Sequence, residues 1–134
     1  MGKHEALKRR AIEENERAYG REARELYGDD AVDAANEHLA SLSQDEWDEK
    51  DRLEQAIKER LRAAMATGEP ARELARMHAR WIALHWGAGR YSREAHRGLA
   101  QMYLSDDRFC AYYDTAAGEG ATEFLVAALE SYLA

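Results

Sequence analysis

The chain has one cysteine, one proline and no surplus of basic residues. A lone thiol, Cys110, excludes an internal disulfide framework and fits a reducing compartment. One proline and few β-branched runs leave almost no strand signal. Nineteen lysines and arginines face 26 aspartates and glutamates, for a net charge of −7, so the footprint of a DNA- or RNA-binding surface is missing. No apolar run approaches the ~20 residues that span a bilayer. The start is charged from Lys3 to Arg17 and lacks the apolar centre of a signal peptide. The expectation is a soluble, acidic, cytoplasmic protein with no membrane contact and no direct nucleic-acid contact.

The signatures of catalysis are equally sparse. There is no HExxH pair, no Cys/His cluster and no nucleophile elbow. Gly87-Ala88-Gly89 follows a helical pattern rather than a strand, so it is not a phosphate loop. His78 and His85 share a helix face but stand two turns apart, about 10 Å, too far for both to ligate one ion. Cys110 lies between Phe109 and Ala111, next to Arg108, with no base tied to it in sequence. Its reading as a small hydrophobe is favoured over that as a nucleophile. Asp106-Asp107 reads as a helix start rather than an acid–base pair. These absences predict a protein that is not an enzyme and needs no metal or cofactor.

What is present is helical periodicity in a chain of 134 residues, one domain long and able to bury a core without staples. Residues 3–27 are highly charged and thinly apolar. Ile12, Tyr19 and Leu26 recur every seven residues and would form a narrow seam for one partner. Such a helix is marginal alone, and Gly20 is expected to interrupt it. Gly28 suits a helix end and Asp30 an N-cap, with a short helix over 31–41. Ser43-Gln44-Asp45-Glu46 reads as a capping box opening a helix to about Met65, ended by Gly68. Pro70 suits the first turn of a helix over 70–86, where Leu74, His78, Trp81, Ile82 and His85 share a face. Ser92 caps a helix to about Leu104, and Ser105-Asp106-Asp107 caps a short one to Asp114. A last helix, 121–133, is expected to bury Phe124, Leu125, Ala128 and Tyr132.

Aromatic residues crowd the middle and third quarter: Trp81, Trp86, Tyr91, Tyr103, Phe109, Tyr112 and Tyr113. Not all can point into one core. Taken together they suit a cleft that stacks flat heterocycles, since rings offer large apolar faces and Tyr and Trp keep a polar handle.

Three segments carry a resemblance to a known family: EARELYGDD from Glu22, HARWIALHW from His78, and HRGLAQMYLSDDRFCAYYD from His96 to Asp114. Together with Ser43 to Trp47, these stretches make the chain, from about Glu22 to Tyr132, similar to the TipAS antibiotic-recognition domain. The resemblance implies an all-α, compact, globin-like helical domain with a mobile N-terminal helical lid. It implies binding of thiopeptides and related multi-ring peptide antibiotics, either as a free sequestering protein or as the effector domain of a MerR-type transcription regulator. No helix-turn-helix reader precedes the domain in this chain. The family's namesake captures its ligand through a cysteine in the loop before the His-Arg-Gly stretch. Here that loop, Gly87 to Ser92, has no cysteine, so reversible binding is expected.

The expected division is a marginal helical segment over residues 1–28 and a core over 29–134. The residues expected to line the ligand cleft are Trp81, His85, Tyr91, His96, Tyr103 and Tyr113. Closure by residues 3–41 would bring Tyr27 and His38 to the ligand. The competing expectation is a helical interaction module without a small ligand, with a homodimer formed through the N-terminal helix.

Overall fold

A computed structural model describes residues 2–68, 71–87 and 89–134. Among them every regular element is helical. The elements are α1 (Lys3–Asn15), a π turn (Glu16–Gly20), α2 (Arg21–Tyr27), α3 (Asp29–Ser41), α4 (Gln44–Thr67), α5 (Arg72–Trp86), α6 (Arg93–Ser105), α7 (Asp107–Ala117) and α8 (Ala121–Leu133). The all-α expectation therefore holds.

Local sequence explains most of the boundaries. The capping box forms in full: Ser43 Oγ accepts from the Glu46 amide at 3.1 Å, and the Glu46 carboxylate accepts from the Ser43 amide at 2.9 Å. Gly68 closes α4 in the left-handed region, φ 69°. Ser92 Oγ accepts from Ala95 N, and Asp106 Oδ1 accepts from Arg108 N, so α6 and α7 start where side-chain caps stand. Two details depart from the sequence pattern. Gly28, not Asp30, is the cap of α3, and Asp30 lies within its first turn. Gly20 does not break the N-terminal helix but lies in the π turn, with ordinary helical angles. The expected Pro70 start lies outside the described residues.

The core is built on α8. Leu125, Leu129 and Ala121 are fully buried, and they meet Ile57 and Leu61 of α4, Leu74 and Ala75 of α5, Ala100 and Tyr103 of α6 and Tyr113 of α7. The buried stripe of α8 is Ala121, Thr122, Leu125, Val126, Leu129 and Leu133. Phe124, Ala128 and Tyr132, expected in that stripe together with Leu125, are only half-buried along its edge.

The N-terminal rod stands outside this core and packs chiefly on α3. Two basic side chains hold it there. Lys8, 3 % exposed, donates to the carbonyls of Ala40 and Leu42, both at 2.7 Å, and pairs with Glu5 at 3.1 Å. A cation at the C-terminus of α3 opposes the negative end of its dipole. Arg24 binds Glu16, Asp29 and Asp33 at 2.6, 3.1 and 2.8 Å, tying the π turn, α2 and α3 together. A methyl group at Gly20 would lie 2.5 Å from the Glu16 side chain, so the glycine leaves room for Glu16 to reach Arg24.

Candidate functional site

Beneath the rod lies a cavity of about 400 Å³, in the range that holds drug-sized ligands. Its floor and walls are Trp81 of α5, Met102 and Tyr103 of α6, Phe109, Tyr112 and Tyr113 of α7, and Glu54 of α4. The rod supplies the roof through Asn15, Tyr19, Glu22, Ala23, Leu26 and Tyr27. Asp106 and Arg108 stand at the rim. The rings contact one another at specific angles: Tyr103 lies 4.8 Å from Phe109 and 5.2 Å from Tyr113, and Tyr112 meets Tyr113 edge-on at 4.9 Å.

The roof is attached to the walls at few points. Arg108 pairs with Glu22 of α2 at 2.8 Å and lies over the Tyr19 ring at 5.2 Å. Tyr27 Oη reaches Met102 Sδ at 3.8 Å. Exposed ion pairs of this kind contribute little, about 0–1 kcal/mol each.

Behind the wall runs a buried polar chain. Tyr91 Oη and His96 Nδ1 are 2.9 Å apart, and His96 Nε2 and His78 Nδ1 are 2.9 Å apart. His78 Nε2 lies 3.2 Å from Tyr103 Oη and 3.3 Å from Tyr113 Oη, and Tyr113 donates to Tyr103 at 3.2 Å. His78 and His96 are completely buried, and their rings stack at 5.0 Å. Burial pushes His78 down to about 3, assisted by the neighbouring His96 and His85, and burial pushes His96 down to about 4. The same desolvation raises Tyr103 to about 12 and Tyr113 well above its ordinary value. The chain is thus neutral at pH 7, and each histidine holds one proton shared along it. Its effect is to anchor, through their hydroxyls, the two tyrosine rings that line the cavity.

The residues expected at the cleft fall into two groups. Trp81, Tyr103, Tyr113 and Tyr27 line the cavity. His85 stands beside Trp81, edge-on at 4.8 Å, with Nδ1 bonded to the Trp81 carbonyl. His96 and Tyr91 belong to the polar chain behind the wall. His38 lies at the far end of α5, with Nε2 2.8 Å from the Leu84 carbonyl and its ring against Gly87. Gly87 has φ 89°, and a side chain there would come within 3.1 Å of the His38 ring. Lining residues outside the expected set include Tyr19, Glu54, Met102, Phe109, Arg108 and Tyr112. The spacing of Phe109, Tyr112 and Tyr113 at three and four residues marked a shared helix face. Nothing in the sequence marked Glu54 or Tyr19 for this side.

Cys110 is not among the cavity residues; its thiol donates to the Tyr103 carbonyl at 3.3 Å. No cluster of three or more metal-ligating side chains occurs among the described residues, and no helix there is long and apolar enough to cross a membrane.

Among known families, the model of the TipAS antibiotic-recognition domain matches residues 19–132. No curated protein and no solved structure matches the chain significantly.

Proposed function

The chain belongs to the TipAS antibiotic-recognition domain family, and on that premise we propose that it binds bulky, heterocycle-rich peptide antibiotics of the thiopeptide type without chemically changing them. The single observation that carries this reading is the aromatic cavity itself, five rings of α5, α6 and α7 roofed by Tyr19 and Tyr27. Flat heterocycles stack on such walls, and burial of one or two rings supplies several kcal/mol at about 25 cal/mol per Å².

A ligand larger than about 400 Å³ would enter by displacing the rod, whose ties to the walls are the Arg108–Glu22 pair and the Tyr27–Met102 contact. Residues 1–28 then act as a lid over the core of residues 29–134. Binding is reversible, because Cys110 does not line the cavity and the Gly87–Ser92 loop has no thiol. The outcome is drug sequestration, or effector sensing where a DNA-binding domain is attached. The competing reading, pairing through Ile12, Tyr19 and Leu26, has less support. The π turn adds one residue to the helix, rotating the rest of the rod by roughly the 100° that a residue occupies. Tyr19 and Leu26 thereby line the cavity, while Ile12 lies beside Arg24 and Asn36.

The test is a melting and tryptophan-fluorescence titration against a panel of thiopeptides, with mass spectrometry under denaturing conditions on the same samples. A ligand at 100-fold its Kd should add about 2.7 kcal/mol of stability. A saturable shift with unchanged mass supports reversible recognition. A shift with added mass would sink the reversible reading, and no shift with any compound would sink the ligand class.

A further inference from the structure

The cavity is not chemically neutral. Of its four formally charged lining residues, three are acidic (Glu22, Glu54 and Asp106) and one, Arg108, is basic. Arg108 is committed to two of the acids: it pairs with Glu22 and with Asp106, both at 2.8 Å. Glu54 accepts a hydrogen bond from Tyr112 Oη at 3.0 Å and forms no ion pair among the described residues. Lys58, one turn on, is turned over the Tyr112 ring at 4.8 Å.

Resting on the proposed antibiotic-binding reading, we infer that this cavity selects flat heteroaromatic ligands that carry a cationic or N–H-donor group toward Glu54, and that it rejects carboxylates. An approaching carboxylate meets net negative charge, with no free cation among the described lining residues to receive it. An ammonium gains from Glu54 in a site whose apolar walls weaken screening.

The probes are three matched 2-phenylthiazole-4-carboxamides ending in an ammonium, an acetamide or a carboxylate. Dissociation constants on the intact chain should rise in the order ammonium, acetamide, carboxylate, with at least tenfold between the ends at low salt. The gap should narrow as salt rises. Glu54→Gln, which keeps an acceptor for Tyr112, should shrink it to within about threefold. The charge series on the unaltered protein needs no variant to fold. Equal binding of ammonium and carboxylate would overturn the charge preference while leaving the binding reading intact. Failure of all three compounds together with a full thiopeptide panel would overturn both.

Discussion

His78 shows how one side chain serves packing and site at once. It is completely buried, yet both ring nitrogens are occupied, one by His96 and the other by Tyr103 and Tyr113. A buried polar group is tolerable only when satisfied, so the chain from Tyr91 to Tyr113 must be complete or absent. Its titration has a readable consequence. In the unfolded chain both histidines take up protons near pH 6.5; in the folded chain His96 resists to about 4 and His78 to about 3. The unfolded state binds protons first. Stability is therefore full above pH 6.5 and declines as the pH falls toward 4, by about 1.4 kcal/mol per pH unit for each histidine. His85, also held down chiefly by burial, acts in the same direction. The acids with lowered values (Glu46, Glu73, Asp106 and Asp114) act in the same direction: their contribution is present above the ordinary carboxylate range and is lost as the pH falls through and below it. Urea unfolding at pH 7 and pH 5 measures the loss; equal stability at both would mean that the ring pair is not neutral and buried.

Helix ends carry the predictions at the scale of elements. Ser43 satisfies one amide of α4 and positions Glu46 to satisfy another. Ser43→Ala should lower stability by about 1 kcal/mol, and amide exchange should quicken over residues 44–47. Lys8 behaves differently, because it joins two helices rather than starting one. Lys8→Met keeps the aliphatic stem but leaves the Ala40 and Leu42 carbonyls without their donor. The expected loss is about 1–3 kcal/mol, and limited proteolysis should find it in α1 and the end of α3. If cleavage instead spreads to α8, the rod and the core unfold as one unit and the lid reading fails. The π turn is the element that positions the roof: by rotating Tyr19 and Leu26 it gives the rod an apolar face over the cavity.

For the molecule as a whole, the buried cluster draws on residues from Ile57 to Leu133 and none of the rod. A chain lacking residues 1–27 should therefore melt cooperatively, with a midpoint within several degrees of the intact chain. It should bind a ligand of the full-length protein at least tenfold more weakly, because the roof is gone. Calorimetry and fluorescence titration of the two chains check both statements. Unchanged affinity would move the ligand away from the rod, and loss of the melting transition would make the rod part of the core.

The sequence alone determined the helical class, the cap at Ser43, the stops at Gly28, Gly68 and Gly87, and the aromatic supply of the third quarter. These are local matters: a cap, a glycine or a period of three to four residues acts within one or two turns of chain. The family resemblance was legible for the same reason, carried by short segments such as HRGLAQMY. Tertiary structure alone decided which rings face the cavity. His96 carries the same ring-bearing signal as Tyr103, yet it lies behind the wall, because its α6 face meets His78 rather than open space. Glu54 looks like any exposed acid of a charged helix until the packing of α4 on α7 sets it beside Tyr112. Tyr19 reads as part of a seven-residue seam until one added residue in the backbone sets it at the roof of the cavity, where it stays half-exposed. Direction in space sums every bend and packing angle between two segments, and no local pattern in the chain records that sum.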